Sequence, residues 1–84
     1  MISVKYFTAR WCGPCKTFKP IMEELKNEGH LIEIIDIDEN EALSKQFQVR
    51  SVPTTIIMDG DEEQERFIGV KTKKLIESRL RKVK

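Results

Sequence analysis

Apolar and polar positions change period several times along the chain, and each change marks an element. Ile2, Val4 and Tyr6 alternate with Ser3, Lys5 and Phe7 in a stretch rich in β-branched and aromatic residues, which predicts a strand over Ile2–Phe7. From Cys12 to Gly29 the period lengthens. Phe18, Ile21, Met22 and Leu25 recur at i, i+3, i+4 and i+7, the spacing of one helical stripe. Pro14 suits the first turn of that helix, where a missing N–H costs nothing, and Gly29 suits its end. Pro20 falls inside the pattern and predicts a bend, because it removes one i to i−4 bond. Leu31–Ile37 is nearly all apolar, broken by Glu33 and Asp36, and reads as a central strand covered on both faces. Asn40 is placed to cap a second helix carrying Leu43 and Phe47. Val52–Met58 reads as a strand near a proline, Asp59-Gly60-Asp61 as a turn, and Glu65–Gly69 as the returning strand. Thr72 can cap a last helix with Leu75, Ile76, Leu80 and Val83 on one face, running through the basic tail to Lys84.

The order is therefore β-α-β-α-β-β-α. That is an α/β fold with a four-stranded mixed sheet flanked by three helices, and a single domain is expected over residues 1–84. The chain of 84 residues can fill one small core, with ten isoleucines among its apolar residues. Charge divides by region. Residues 1–30 carry five basic and three acidic groups, residues 31–70 three and ten, and residues 71–84 seven and one. The formal net charge is only +1, so overall basicity gives no case for nucleic-acid binding. The basic tail lacks interleaved aromatics for base stacking and reads as the wet face of a helix. The start, MISVKYF, has no long apolar core or small-residue cleavage site, and no run approaches the ~18 apolar residues of a membrane span. The expectation is a cytoplasmic domain with no membrane contact.

Two cysteines and one histidine are too few for a disulfide framework or a four-ligand zinc site within one chain. The two thiols instead stand together in Trp11-Cys12-Gly13-Pro14-Cys15-Lys16, between the first strand and first helix. Two intervening residues let both sulfurs meet on one turn and close a disulfide ring. At a helix N-terminus the free N–H groups and the macrodipole favour an anion, so a Cys12 thiolate is stabilised there. Gly13 keeps the approach open, Pro14 restricts the loop, and Cys15, further in, is expected to be less exposed. Cys12 would attack a substrate disulfide and Cys15 would resolve the mixed disulfide. The other readings are a binding module using an apolar surface and a metal cluster shared between two chains.

WCGPCK resembles the active-site motif of thioredoxins, and the element order resembles their fold. Val49-Arg50-Ser51-Val52-Pro53-Thr54 is similar to the segment around the thioredoxin cis-proline. Asp36-Ile37-Asp38-Glu39-Asn40 resembles the stretch before the second helix, and Ile68-Gly69-Val70 the end of the last strand. Full-length thioredoxins carry an N-terminal strand and helix ahead of this region. The resemblance implies a thiol–disulfide oxidoreductase that reduces protein disulfides, with Cys12 and Cys15 catalytic and no bound cofactor besides their disulfide. It implies a cis Val52–Pro53 bond facing the dithiol, and an apolar docking rim of Trp11, Gly13, Pro14, Val52, Pro53, Ile68 and Gly69. Electrons would come from NADPH through a thioredoxin reductase. Disulfide-containing proteins, ribonucleotide reductase among them, would be partners of a monomer. The alternative is a glutaredoxin-like, glutathione-dependent reductase, suggested by the short length but not by the CGPC loop.

Two positions depart from the family pattern. Thioredoxins usually carry a buried aspartate six residues before the first cysteine, and here Tyr6 stands there. The lysine often paired with that acid is replaced by Ile34. Tyr6, Arg10 and Lys16 are therefore candidate modulators of the dithiol. Tyr6 could donate a hydrogen bond but would be a poor base at neutral pH.

Overall fold

The computed structural model describes residues 1–83; Lys84, assigned above to the last helix, lies outside the described residues. Seven elements follow in the expected order: β1 (Ile2–Thr8), α1 (Gly13–Asn27), β2 (Ile32–Asp36), α2 (Glu41–Gln46), β3 (Thr54–Asp59), β4 (Glu62–Ile68) and α3 (Lys73–Lys82). The sheet order is β2-β1-β3-β4. β1 pairs parallel with β2, and β3 pairs antiparallel with both β1 and β4.

Strand parity distributes side chains to two cores. On the face covered by α1 and α3, Val4, Tyr6, Ile32 and Ile57 pack with Phe18, Met22, Leu25, Ile76 and Leu80. On the opposite face Phe7, Ile35, Ile56 and Met58 pack against Leu43 and Phe47 of the α2 region. Each large side chain fully buried in this way contributes about 1.5–3 kcal/mol. The ring edge of Tyr6 meets Phe18, with centroids 5.6 Å apart, which fixes the height of α1 over β1.

The apolar run at 31–37 is covered on both faces, but its strand is the sheet's edge and not its centre. Its residues answer to helices above and below, and neither reveals how many strands lie beside it. The second hairpin also differs from expectation. Glu62 and Glu63 join the ladder opposite Asp59 and Met58, so β4 begins three residues before Glu65, and the turn contracts to Gly60-Asp61. An exposed edge strand tolerates charged side chains, which hid this strand in the pattern. β3 starts at Thr54 and not at Val52, because Pro53 offers no N–H to a ladder. Asn40 stands at the N-cap of α2, yet its side chain makes no cap bond. It donates to the Asp36 carbonyl at 3.1 Å. α1 continues through Pro20 as one helix.

Candidate active site

β1 ends at Thr8 and α1 begins at Gly13, so the linking turn carries Ala9 to Cys12 out beyond the sheet. Cys12 is the N-cap of α1. Its backbone is extended, and its sulfur accepts the Cys15 backbone N–H at 3.2 Å. Such an N–H has no partner within the helix, and sulfur supplies one. Cys12 and Cys15 are disulfide-bonded, with Cα atoms 5.3 Å apart. They pack in a small cluster with Ala9, Ile37 and Val52. Cys15 is the more buried of the two, at 2% against 5% exposure.

The Val52–Pro53 peptide is cis, and the Val52 carbonyl oxygen lies 3.7 Å from the Cys12 sulfur. Gly69, at a positive φ of 92° that suits glycine, donates its N–H to the Pro53 carbonyl at 2.9 Å. This bond, with the pairing of Thr54 and Ile68, brings the end of β4 beside Pro53. Trp11, Ile68 and Val70 are exposed, the first two by more than 60%. Gly13 and Pro14 are also exposed. Of the rim residues read from the sequence, Val52 packs against the dithiol, while Pro53, the next residue, is fully buried.

Trp11 is held in place by its indole N–H, which donates to Asp38 at 2.9 Å. Arg10 points to carboxylates: its Nη2 is 2.7 Å from Glu39 and its Nε 3.7 Å from Asp36. Lys16 is exposed on the first turn of α1. Tyr6 is fully buried beneath the helix start, and its hydroxyl donates to the Cys15 carbonyl at 3.3 Å. Burial raises its pKa above 10.0, and the neighbouring Thr8 hydroxyl opposes that shift. Ile34 pairs with Tyr6 in register, so the two departures from the family pattern are neighbours. Asp36, Asp38 and Glu39 escaped the sequence reading as site residues. Their partners lie far back in the chain, and only the strand parity of Asp36 hinted at its direction.

Among the described residues no group of three or more His, Cys, Asp or Glu side chains is placed to hold a metal ion. No helix is long and apolar enough to cross a membrane. A cysteine pair that caps a helix, opposite a cis-proline on a four-stranded mixed sheet, defines a protein-disulfide oxidoreductase. The family is equally plain: the thioredoxin family model matches residues 2–82, and this chain belongs to that family. It is 38% identical over 79 residues to the thioredoxin of Bacillus subtilis (strain 168), covering 90% of this chain and 76% of that one. A bifunctional thioredoxin reductase/thioredoxin of Mycobacterium leprae (strain TN) is 39% identical over 70 residues, covering 80% of this chain and 15% of that protein. Among solved structures, a mutant thioredoxin from Halobacterium salinarum NRC-1 superposes with a TM-score of 0.90 at 30% identity. That match covers 96% of this chain and 73% of the other. Thioredoxins act through their redox-active disulfide and carry no prosthetic group.

Proposed function

We propose that residues 1–84 form one domain, a cytoplasmic monomer that reduces disulfides in other proteins. The observation that carries this reading is the Cys15 N–H donated to the Cys12 sulfur at the start of α1, which would stabilise a thiolate on Cys12. Cys12 attacks one sulfur of the substrate disulfide and the other leaves as a thiolate. Cys15, as thiolate, then attacks the Cys12 sulfur, the second substrate thiolate departs, and the dithiol has passed two electrons to the substrate.

The substrate docks on Trp11, Gly13, Pro14, Val52, Pro53, Ile68 and Gly69. The backbone before Pro53 pairs with an extended peptide as an added strand. Tyr6, Arg10 and Lys16 modulate the dithiol. A thioredoxin reductase using NADPH restores the dithiol. The name of the Mycobacterium leprae relative supports this donor, since it joins reductase and thioredoxin in one protein. Ribonucleotide reductase is one candidate client among disulfide-bearing proteins.

The test is insulin reduction by the purified protein, driven by thioredoxin reductase with NADPH or by glutathione with its own reductase. Turnover is expected with the first system. Cys12→Ser should abolish it, and Cys15→Ser should trap mixed disulfides on Cys12, visible by mass spectrometry. Full turnover in both variants would overturn the assignment.

A further inference from the structure

Resolution of the mixed disulfide needs Cys15 as a thiolate, and burial opposes the charged form of a thiol. Cys15 must therefore pass its proton to a group within reach. Tyr6, beneath it on β1, is already donating its own proton to the Cys15 carbonyl and is held neutral by burial. Ile34, beside Tyr6, is apolar. The next register position differs. Asp36 pairs with Thr8, and its parity with Ile32 and Ile34 turns its side chain to the face that α1 covers.

Cys15, Thr8, Ile34 and Asp36 line one cleft of about 450 Å³. The Asp36 side chain is only 17% exposed. Its Oδ1 accepts the Asp38 backbone N–H at 2.8 Å, and its Oδ2 is 3.7 Å from Arg10 Nε. These contacts fix the carboxylate and leave lone pairs open to the cleft. A polar space of this size accommodates water, which can bridge groups beyond direct hydrogen-bond reach. The other charged groups lining it are Arg10 on the β1–α1 turn, Lys16 and Lys19 on α1, and Glu39 after β2.

We propose that Asp36 is the proton acceptor for Cys15, through water in this cleft, during resolution of the mixed disulfide; this rests on the oxidoreductase reading above. The Cys15 proton moves through water to the Asp36 carboxylate. The Cys15 sulfur forms its bond to Cys12, the bond from Cys12 to the substrate breaks, and the electron pair leaves on the substrate sulfur. Asp36 then returns its proton to solvent or to the departing thiolate.

Stopped-flow reaction of the reduced protein with 5,5′-dithiobis(2-nitrobenzoate) separates the steps. Attack by Cys12 releases one coloured thiolate, and resolution by Cys15 releases the second. Asp36→Asn should leave the first phase and its pH profile unchanged. The second phase should slow roughly 10²-fold at neutral pH, the lower range for a positioned base, and recover as pH rises. Asp36→Glu should restore much of the second phase. Lys19→Gln should leave it at the wild-type rate, although it removes a charge from the same cleft. A wild-type second phase in Asp36→Asn would overturn the proposal. So would equal slowing in Lys19→Gln, or equal loss of both phases in Asp36→Asn, which would mark a merely structural role. Absence of the first phase in the wild-type protein would instead overturn the oxidoreductase reading itself, and the proposal with it.

Discussion

Tyr6 shows how one side chain can serve packing and chemistry together. Its ring closes the core against Phe18, and its hydroxyl steadies the first turn of α1 through the Cys15 carbonyl. Replacing it by phenylalanine keeps the ring and removes the hydrogen bond, so Tyr6→Phe should cost about 1 kcal/mol in urea unfolding at neutral pH. The pH dependence has a definite sign. A folded-state pKa raised above 10.0 means that the folded protein keeps a proton the unfolded chain releases. The stability tied to the neutral hydroxyl is thus fully present below 10.0 and is lost as pH rises through the folded value. The gap between wild type and Tyr6→Phe should narrow in unfolding curves taken above that pH. The sequence disclosed Tyr6 as a departure from the family pattern, and it disclosed the dithiol with its surrounding motif. It could not disclose that Arg10 turns toward Glu39 or Trp11 toward Asp38, because each contact joins two loops more than 25 residues apart.

At the level of elements, legibility followed how local each determinant was. The last helix was readable from its cap: Thr72 Oγ1 accepts the Leu75 N–H at 3.1 Å. Thr72→Ala should lower stability by about 1 kcal/mol, measured by chemical denaturation. Lys73, the next residue, reaches back to Glu24 and Glu28 and ties the first turn of α3 to the last turns of α1. These hydrogen bonds push its pKa well up. That cross-link joins residues 45 and 49 positions apart, and no sequence period announces it. The edge position of β2 was hidden for a related reason. Ile32 and Ile35 report the layers above and below the strand, whereas the number of neighbouring strands is a property of the whole sheet.

For the molecule as a whole, the scarcity of cysteine has a thermodynamic meaning. The only disulfide among the described residues spans a sequence separation of three. Cross-linking so small a loop removes little freedom from the unfolded chain, so reduction should lower global stability by only about 2 kcal/mol, read from denaturation with and without dithiothreitol. The fold is carried by its two apolar layers in either redox state. The helix cap is another matter. The Cys12 sulfur is at once the group that reacts and the group that holds the Cys15 amide, so every event at that sulfur is also an event in the backbone. An alkylating reagent that silences the chemistry hangs its substituent on the helix cap, and a mixed disulfide with a client does the same. Catalysis and helix capping here share a single atom, which puts the start of α1 in direct touch with each covalent step.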